Sequence, residues 1–234
     1  MNCGVLIYAF NNGEIDYDAM ARWNAKRIKR FLGLETTIIS KSEHASAGGT
    51  RTFDGVRSQW LNASRANAWN DSPYDETIVI DADYIVNSDI LLTLFDMPQS
   101  FLIHQIVSDV TGRNAFRGQT DFGQLKFPQS WATVFYFNRE SQNKVIFDVV
   151  KTIRQNYSHF AETYKFAHKP FRNDYAFSIA LGIVGGHVLS NTRTIPWPLA
   201  TASTDVKVSV EDDVIHLSYD KRNKTVRSQF VSQS

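Results

Sequence analysis

The run Thr77-Ile78-Val79-Ile80, followed at once by Asp81-Ala82-Asp83, constrains this chain more than any other segment. Four consecutive apolar or β-branched residues suit a strand covered on both faces, as in a mainly parallel sheet with helices on each side. Such a strand delivers whatever follows it to the carboxyl edge of the sheet, where open α/β sheets bind ligands. Here two carboxylates follow, separated by one small residue. At that spacing both can approach one divalent cation, directly or through water. Mg²⁺ or Mn²⁺ held in this way keeps positions free for phosphate oxygens. The plain alternative for any Asp-x-Asp is a solvated acidic turn; the buried strand that leads into this one favours chemistry.

The surrounding sequence supplies the sheet. Residues 5–10 are a continuous apolar run and read as a first strand, ended by Asn11-Asn12-Gly13. Over residues 17–32, Met20, Trp23, Ile28 and Phe31 recur at helical spacing, and Gly33 follows as a C-cap. Residues 36–39 form a second strand, and this βαβ order requires a right-handed crossover. A helix is expected over residues 56–69, carrying Arg57 and placing Asn62 and Arg65 on one face at three-residue spacing. Residues 101–107 and 132–137 read as later strands around a polar connection. Ile146, Val149, Val150, Ile153 and Tyr157 mark a helix, and another starts near Asn173 or Asp174 and runs to Ile183. Ile215 and Leu217 alternate with His216 and Ser218, the pattern of a strand. The expected fold is therefore α/β and Rossmann-like: one domain over residues 1–234, with a mainly parallel central sheet flanked by helices.

Composition narrows the function classes. At 234 residues and 43% hydrophobic content, the chain can bury one sizeable core. Its 25 Lys and Arg nearly cancel 24 Asp and Glu, so net charge gives no general pull towards nucleic acid or membrane. Cys3 is the only cysteine, which excludes an internal disulfide and a cysteine-rich zinc site. No apolar run reaches membrane-spanning length and no signal peptide is evident, so a cytoplasmic setting is expected. The phosphate-cradling Gly-x-x-x-x-Gly-Lys loop, the Gly-x-Gly-x-x-Gly turn, the His-Glu-x-x-His helix and the Gly-x-Ser-x-Gly elbow are all absent.

The stretch from Ser72 through Asp83 resembles the entry to the Asp-x-Asp motif of GT-A glycosyltransferases, particularly the glycogenin-like branch. The resemblance implies that Asp81 and Asp83, with Ala82 between them, hold Mn²⁺ or Mg²⁺ against the diphosphate of a nucleotide-sugar donor, most simply a UDP-sugar. It further implies that Tyr8, Ala9 and Asn11, at the end of the first strand, contact the base and ribose. Asn62 and Arg65 would reach the diphosphate or base, and a guanidinium matches phosphate bidentately. Phe171-Arg172-Asn173-Asp174-Tyr175-Ala176-Phe177 resembles the acidic helix start of the family, which gives Asp174 a catalytic role facing the sugar or acceptor. Gln129-Ser130-Trp131-Ala132 resembles its donor-pocket strand. The family's His-x-x-Gly-x-x-Lys pattern is matched in part by residues 216–221: His216 would be a third metal ligand and Lys221 a phosphate contact. Tyr219 stands where glycine is expected, and Lys221 falls one residue early. Helix capping by Asp174, a strand histidine at 216 and a solvated basic run at Lys221 are the structural alternatives.

The compact chain also resembles small bacteriophage-type transferases, which implies host cytoplasm and an acceptor such as hydroxymethylated DNA. Lys26, Arg27, Lys29, Arg30, Arg113, Arg117 and Lys126 are the candidate cationic face for it. Two competing readings are a haloacid-dehalogenase-like phosphatase and a catalytically inactive sugar-nucleotide binder. In the first, Asp-x-Asp normally follows the first strand and continues with Thr or Val where Ile85 stands here.

Overall fold

In the computed structural model the described residues are 2–12, 15–41, 44–45, 50–53, 56–59, 61–110, 112–115, 121–122, 126–166, 171–187, 193–202, 206–211, 214–221 and 224–230. At 50–53, 56–59, 122, 206–208, 218–221 and 224–230 the description covers the backbone alone. In chain order the elements are β1 (Cys3–Tyr8), α1 (Tyr17–Leu32), β2 (Glu35–Ile39), β3 (Thr50–Phe53) and β4 (Val56–Gln59). A 3-10 helix (Ala63–Asn67) runs into α2 (Ala68–Asp71), followed by β5 (Glu76–Asp81), a second 3-10 helix (Ile90–Asp96), β6 (Phe101–His104) and β7 (Val107–Asp109). Then come β8 (Asp121–Phe122), β9 (Phe127–Pro128), β10 (Trp131–Asn138), α3 (Ser141–Gln155), α4 (Tyr157–Thr163) and α5 (Asn173–Val184). β11 (Leu199–Thr201), β12 (Val206–Glu211), β13 (Val214–Lys221) and β14 (Lys224–Phe230) complete the order.

The apolar runs at residues 5–8 and 77–80 lie in adjacent parallel strands. The central sheet has the order β2-β1-β5-β10-β6, with β1 parallel to both β2 and β5, and β10 antiparallel to β5 and β6. The reversal of β10 positions the site. Tyr8 ends β1 opposite Asp81, which ends β5, while β10 begins beside them, with Val134 opposite Ile80. The first residues of β10 therefore lie on the same edge as the last residues of the parallel strands. A register shift between Trp131 and Phe135 kinks β10 just there, and such irregularities re-aim side chains.

The alternation of side chains along the strands builds two cores. Val79, Phe135 and Phe137 pack on one face against Phe147 of α3 and Phe177 of α5. Ring centroids lie 4.9 Å apart for Phe135–Phe177 and 4.8 Å for Phe137–Phe147. Ile78, Ile80 and Val134 pack on the other face against Ile28 of α1 and Leu91 and Leu94 of the second 3-10 helix. Each of Ile78, Val79 and Ile80 is fully buried, and burial stabilises by about 1.5–3 kcal/mol per such side chain. Helix α1 begins where the Asp16 carboxylate accepts from Ala19 N at 3.0 Å and stops at Gly33, whose φ of 69° suits glycine.

Two expectations are corrected, and a third is placed. Residues 56–69 are not one helix: β3 and β4 pair as an antiparallel hairpin, and only a 3-10 turn and the four residues of α2 follow. The segment 50–59 alternates like a strand pair around Asp54-Gly55, a hairpin dipeptide, which outweighs the looser helical spacing. Residues 101–107 divide into β6 and β7, and β7 pairs with β11 rather than with the central sheet. The strand around Ile215 and Leu217 exists as β13, but it belongs to a separate antiparallel sheet, β12-β13-β14. Among the described residues, no helix is long and apolar enough to cross a membrane.

Candidate active site

Asp81 is the last residue of β5, and a turn closed by Tyr84 N on Asp81 O at 3.1 Å follows it. Ala82 packs inward while Asp83 is exposed, as expected for two carboxylates around a small buried residue. Asp81 is held from two sides. Arg65, on the 3-10 helix and only 2% exposed, makes an ion pair to Asp81 Oδ1 through one guanidinium nitrogen. Another of its nitrogens donates to the main-chain carbonyl of Ala132. On the other side, the Thr133 hydroxyl donates to Asp81 Oδ2 at 2.7 Å and accepts from Trp131 Nε1 at 3.0 Å. Burial pushes the Arg65 pKa down to about 10, against the upward pull of Asp174 and Asp83, so Arg65 stays charged at neutral pH.

Asp174 joins the same assembly through the backbone of β10. Its Oδ1 accepts from Ala132 N at 2.8 Å and its Oδ2 from Arg172 at 2.7 Å. No side-chain cap closes the start of α5, so the capping alternative is not what this carboxylate does. The Arg172 guanidinium lies 5.9 Å from the Trp131 ring centroid and 5.2 Å from that of Tyr175. Burial opposes its charge, but the Asp174 carboxylate outweighs burial and raises its pKa. Residues far apart in sequence thus meet on one sheet edge: Arg65, Asp81 and Asp83, Trp131 to Thr133, and Arg172 to Asp174.

The donor set fits a hard divalent cation. A carboxylate offers about four lone-pair directions; the Arg65 and Thr133 contacts leave part of Asp81's capacity, and Asp83 reaches solvent. Two carboxylates suffice for Mg²⁺ or Mn²⁺ when phosphate oxygens and water complete the shell.

Other expected residues are placed differently. Tyr8 is 3% exposed and its hydroxyl donates to Asp71 at 2.7 Å. Ala9 is fully buried, so neither side chain presents a surface to a base. Asn11 is exposed, with its amide nitrogen on Asp16 and its carbonyl oxygen accepting from Asp18 N, which ties it to the start of α1. Asn62 contributes its main-chain carbonyl, which accepts from Arg65 N and from the Asn173 amide. His216 is half-buried in β13, whose sheet pairs with none of the central strands. No group of three or more His, Cys, Asp or Glu able to hold a metal forms among the described residues. The side chains of Arg57 and Lys221, and the whole of Arg117, lie outside the described residues.

Three residues of the expected cationic face are engaged with neighbours. Arg27 is buried, donates to the Val86 carbonyl and lies over Trp23 and Phe31. Lys29 pairs with Glu35 and Arg113 with Asp109. Thr133 and Arg172 are site residues that sequence reasoning did not single out. Arg172's signal was adjacency to Asp174, whereas Thr133 carried none beyond its place near the start of a strand.

No protein-family model matches this chain, and no curated protein matches it. Among solved structures, the chain is similar to the glycosyltransferase GlyE of Streptococcus pneumoniae TIGR4, with a TM-score of 0.42 and 12% identity. The apo form of GlyE gives 0.42 and 16%. These alignments cover 86% and 83% of this chain but 45% of GlyE in both cases, so the chain spans less than half of that protein's length. A likeness at this level is too distant to bear on activity.

Proposed function

We propose that this protein is a metal-dependent glycosyltransferase that moves a sugar from a nucleoside-diphosphate sugar, a UDP-sugar by the sequence resemblance, to an acceptor hydroxyl. The observation that carries the reading is the joining of Asp81 to Asp174 through Arg65 and the main chain of Ala132, with Asp83 open to solvent beside them. The arrangement provides carboxylates for a cation at the diphosphate end and a separate, fixed carboxylate for the sugar.

Asp81 and Asp83 would hold Mn²⁺ or Mg²⁺, and the bound ion would supply charge neutralisation of the departing nucleoside diphosphate. Arg65 holds Asp81 in one orientation, because a buried guanidinium needs a counter-charge. Asp174 acts chiefly as a positioning carboxylate. Both of its oxygens already accept from Ala132 N and Arg172, so it presents remaining lone pairs to sugar hydroxyls in a fixed direction. The acceptor oxygen attacks the anomeric carbon as the bond to the diphosphate oxygen breaks, through an oxocarbenium-like state, and the acceptor's proton passes to the departing diphosphate or to water. The acceptor needs only a hydroxyl, and with Arg27, Lys29 and Arg113 engaged elsewhere the geometry supports the donor side more than an anionic acceptor such as DNA.

Calorimetric titration with UDP and a panel of UDP-sugars, with and without Mn²⁺, tests the reading. Metal-dependent binding in the wild type that is lost in Asp83→Ala is the expected result. Absence of nucleotide binding under every condition sinks the proposal and returns the phosphatase reading to the front.

A further inference from the structure

The two oxygens of Asp81 are treated unequally. One faces a charged guanidinium, the other a neutral hydroxyl that is itself held by an indole. The direction of that second arm follows from chemistry alone. An indole nitrogen can only donate, so Thr133 Oγ1 must accept from Trp131 Nε1, and its single hydrogen is left for the carboxylate. The hydroxyl cannot turn round without giving up the indole bond. Thr133 is β-branched and sits in a strand, where its χ1 is restricted, so the donor is preset before any ligand arrives. Trp131 is in turn covered by Arg172, whose other partner is Asp174. The arm therefore links the two carboxylates by a second route, independent of Arg65 and Ala132.

Resting on the metal-dependent reading above, we infer that Thr133 is a positioning residue for Asp81, and that Trp131 sets the direction of its hydroxyl. With Oδ2 held by a neutral donor, the lone pairs of Asp81 that Arg65 and Thr133 leave are aimed in one direction. A second guanidinium in that place would compete with a cation for the carboxylate. A methyl group would leave the oxygen free to rotate. Outer partners that orient metal-binding groups commonly carry about 10–100-fold in metal affinity.

The experiment is a titration of Mn²⁺ in the presence of UDP, following free Mn²⁺ by electron paramagnetic resonance, on wild type, Asp83→Ala, Thr133→Val, Thr133→Ser and Trp131→Phe. Urea unfolding of each variant identifies those that fold. Thr133→Val, nearly identical in shape, is expected to weaken Mn²⁺ binding by about 10–100-fold. Thr133→Ser, which keeps the hydroxyl, is expected to restore most of it. Trp131→Phe keeps the ring and frees the hydroxyl, so a smaller loss in the same direction is expected; it carries the test should Thr133→Val not fold. Wild-type affinity in Thr133→Val overturns the inference. So does a Thr133→Ser protein as weak as Thr133→Val, since the role is then steric. If Asp83→Ala is weak while the Thr133 and Trp131 variants are unchanged, this inference alone fails; if the wild type itself binds no Mn²⁺ with UDP, the functional reading falls with it.

Discussion

Strand β5 carries a carboxylate at each end, and the two are treated in opposite ways. Glu76 begins the strand, is 9% exposed, and accepts from Tyr136 at 2.6 Å and from the Cys3 thiol at 3.2 Å. Burial, and then Glu76 itself, push the Cys3 pKa up to about 11, and they raise that of Tyr136 as well, so both partners stay protonated as donors. Asp81 ends the strand, has 22% of its side chain exposed, and is met by a buried cation and one hydroxyl. The amino end is a closed polar contact that holds strands together: Tyr136 of β10 and Cys3 of β1 both reach across to β5. The carboxyl end is charged, connected to a second carboxylate and continued outward by Asp83. A buried carboxylate is therefore not a functional sign in itself; what distinguishes Asp81 is the charge placed against it and the opening beyond it.

Removing the charge should separate the ends most sharply. Arg65→Met leaves Asp81 facing an apolar side chain and is expected to cost about 3–5 kcal/mol in urea unfolding. Glu76→Gln keeps an acceptor for Tyr136 and should cost about 1 kcal/mol. Equal costs would break the comparison.

A pH series tests a neutral group on the carboxyl edge. His104 ends β6 opposite Trp131, is fully buried and stacks edge-on with Trp197. Burial, only partly countered by the Trp197 backbone, pushes its pKa from 6.5 down to about 4. The unfolded chain therefore binds a proton that the folded chain refuses. Stability is fully present above about pH 6.5 and is lost as pH falls towards 4, on the order of 3 kcal/mol from this residue. Unfolding midpoints at several pH values should fall more steeply for wild type than for His104→Phe; parallel curves would show that the imidazole protonates freely.

Asp83→Ala should change unfolding free energy by no more than about 0.5 kcal/mol, because the residue is exposed. It should weaken Mn²⁺-dependent nucleotide binding by about a hundredfold. A large stability loss would mean that Asp83 is structural like Glu76. The smallest expected effect on binding is at the amino end, where Gly4 packs on Tyr74: a Cβ at position 4 would come within 2.3 Å of that ring. Gly4→Ala is expected to cost about 1–3 kcal/mol of stability through overpacking and to leave nucleotide binding intact. Lost binding in a folded protein would join the two ends.

The sequence made the sheet and its acidic edge legible because both are local statements. An unbroken β-branched run at residues 77–80 can only be a covered strand, and the residues after it must emerge at its end. The helix around Asp174 was legible for the same reason. Long-range placement was not. Arg65 reads as a contact to the diphosphate or base, and only the approach of β10 to the 3-10 helix sets it between Asp81 and the Ala132 carbonyl. Thr133 is an ordinary strand residue until the antiparallel reversal of β10 sets it beside Asp81. Helical spacing over residues 56–69 competes with the turn dipeptide Asp54-Gly55 between two short runs, and β3 and β4 pair. His216 was matched through a motif, but its strand pairs only within its own sheet.

At the centre of the carboxyl edge stands Ala132, which accepts from Arg65 through its carbonyl and donates to Asp174 through its amide. Neither bond uses a side chain. Replacing residues one at a time with alanine would leave this junction untouched and would report position 132 as silent, although every path from Asp81 through Arg65 to Asp174 runs through it. Only an exchange that removes the amide hydrogen, such as proline or an ester in place of the peptide bond, could expose it. This part of the site is thus written in the backbone, where a change of side chain alone does not reach.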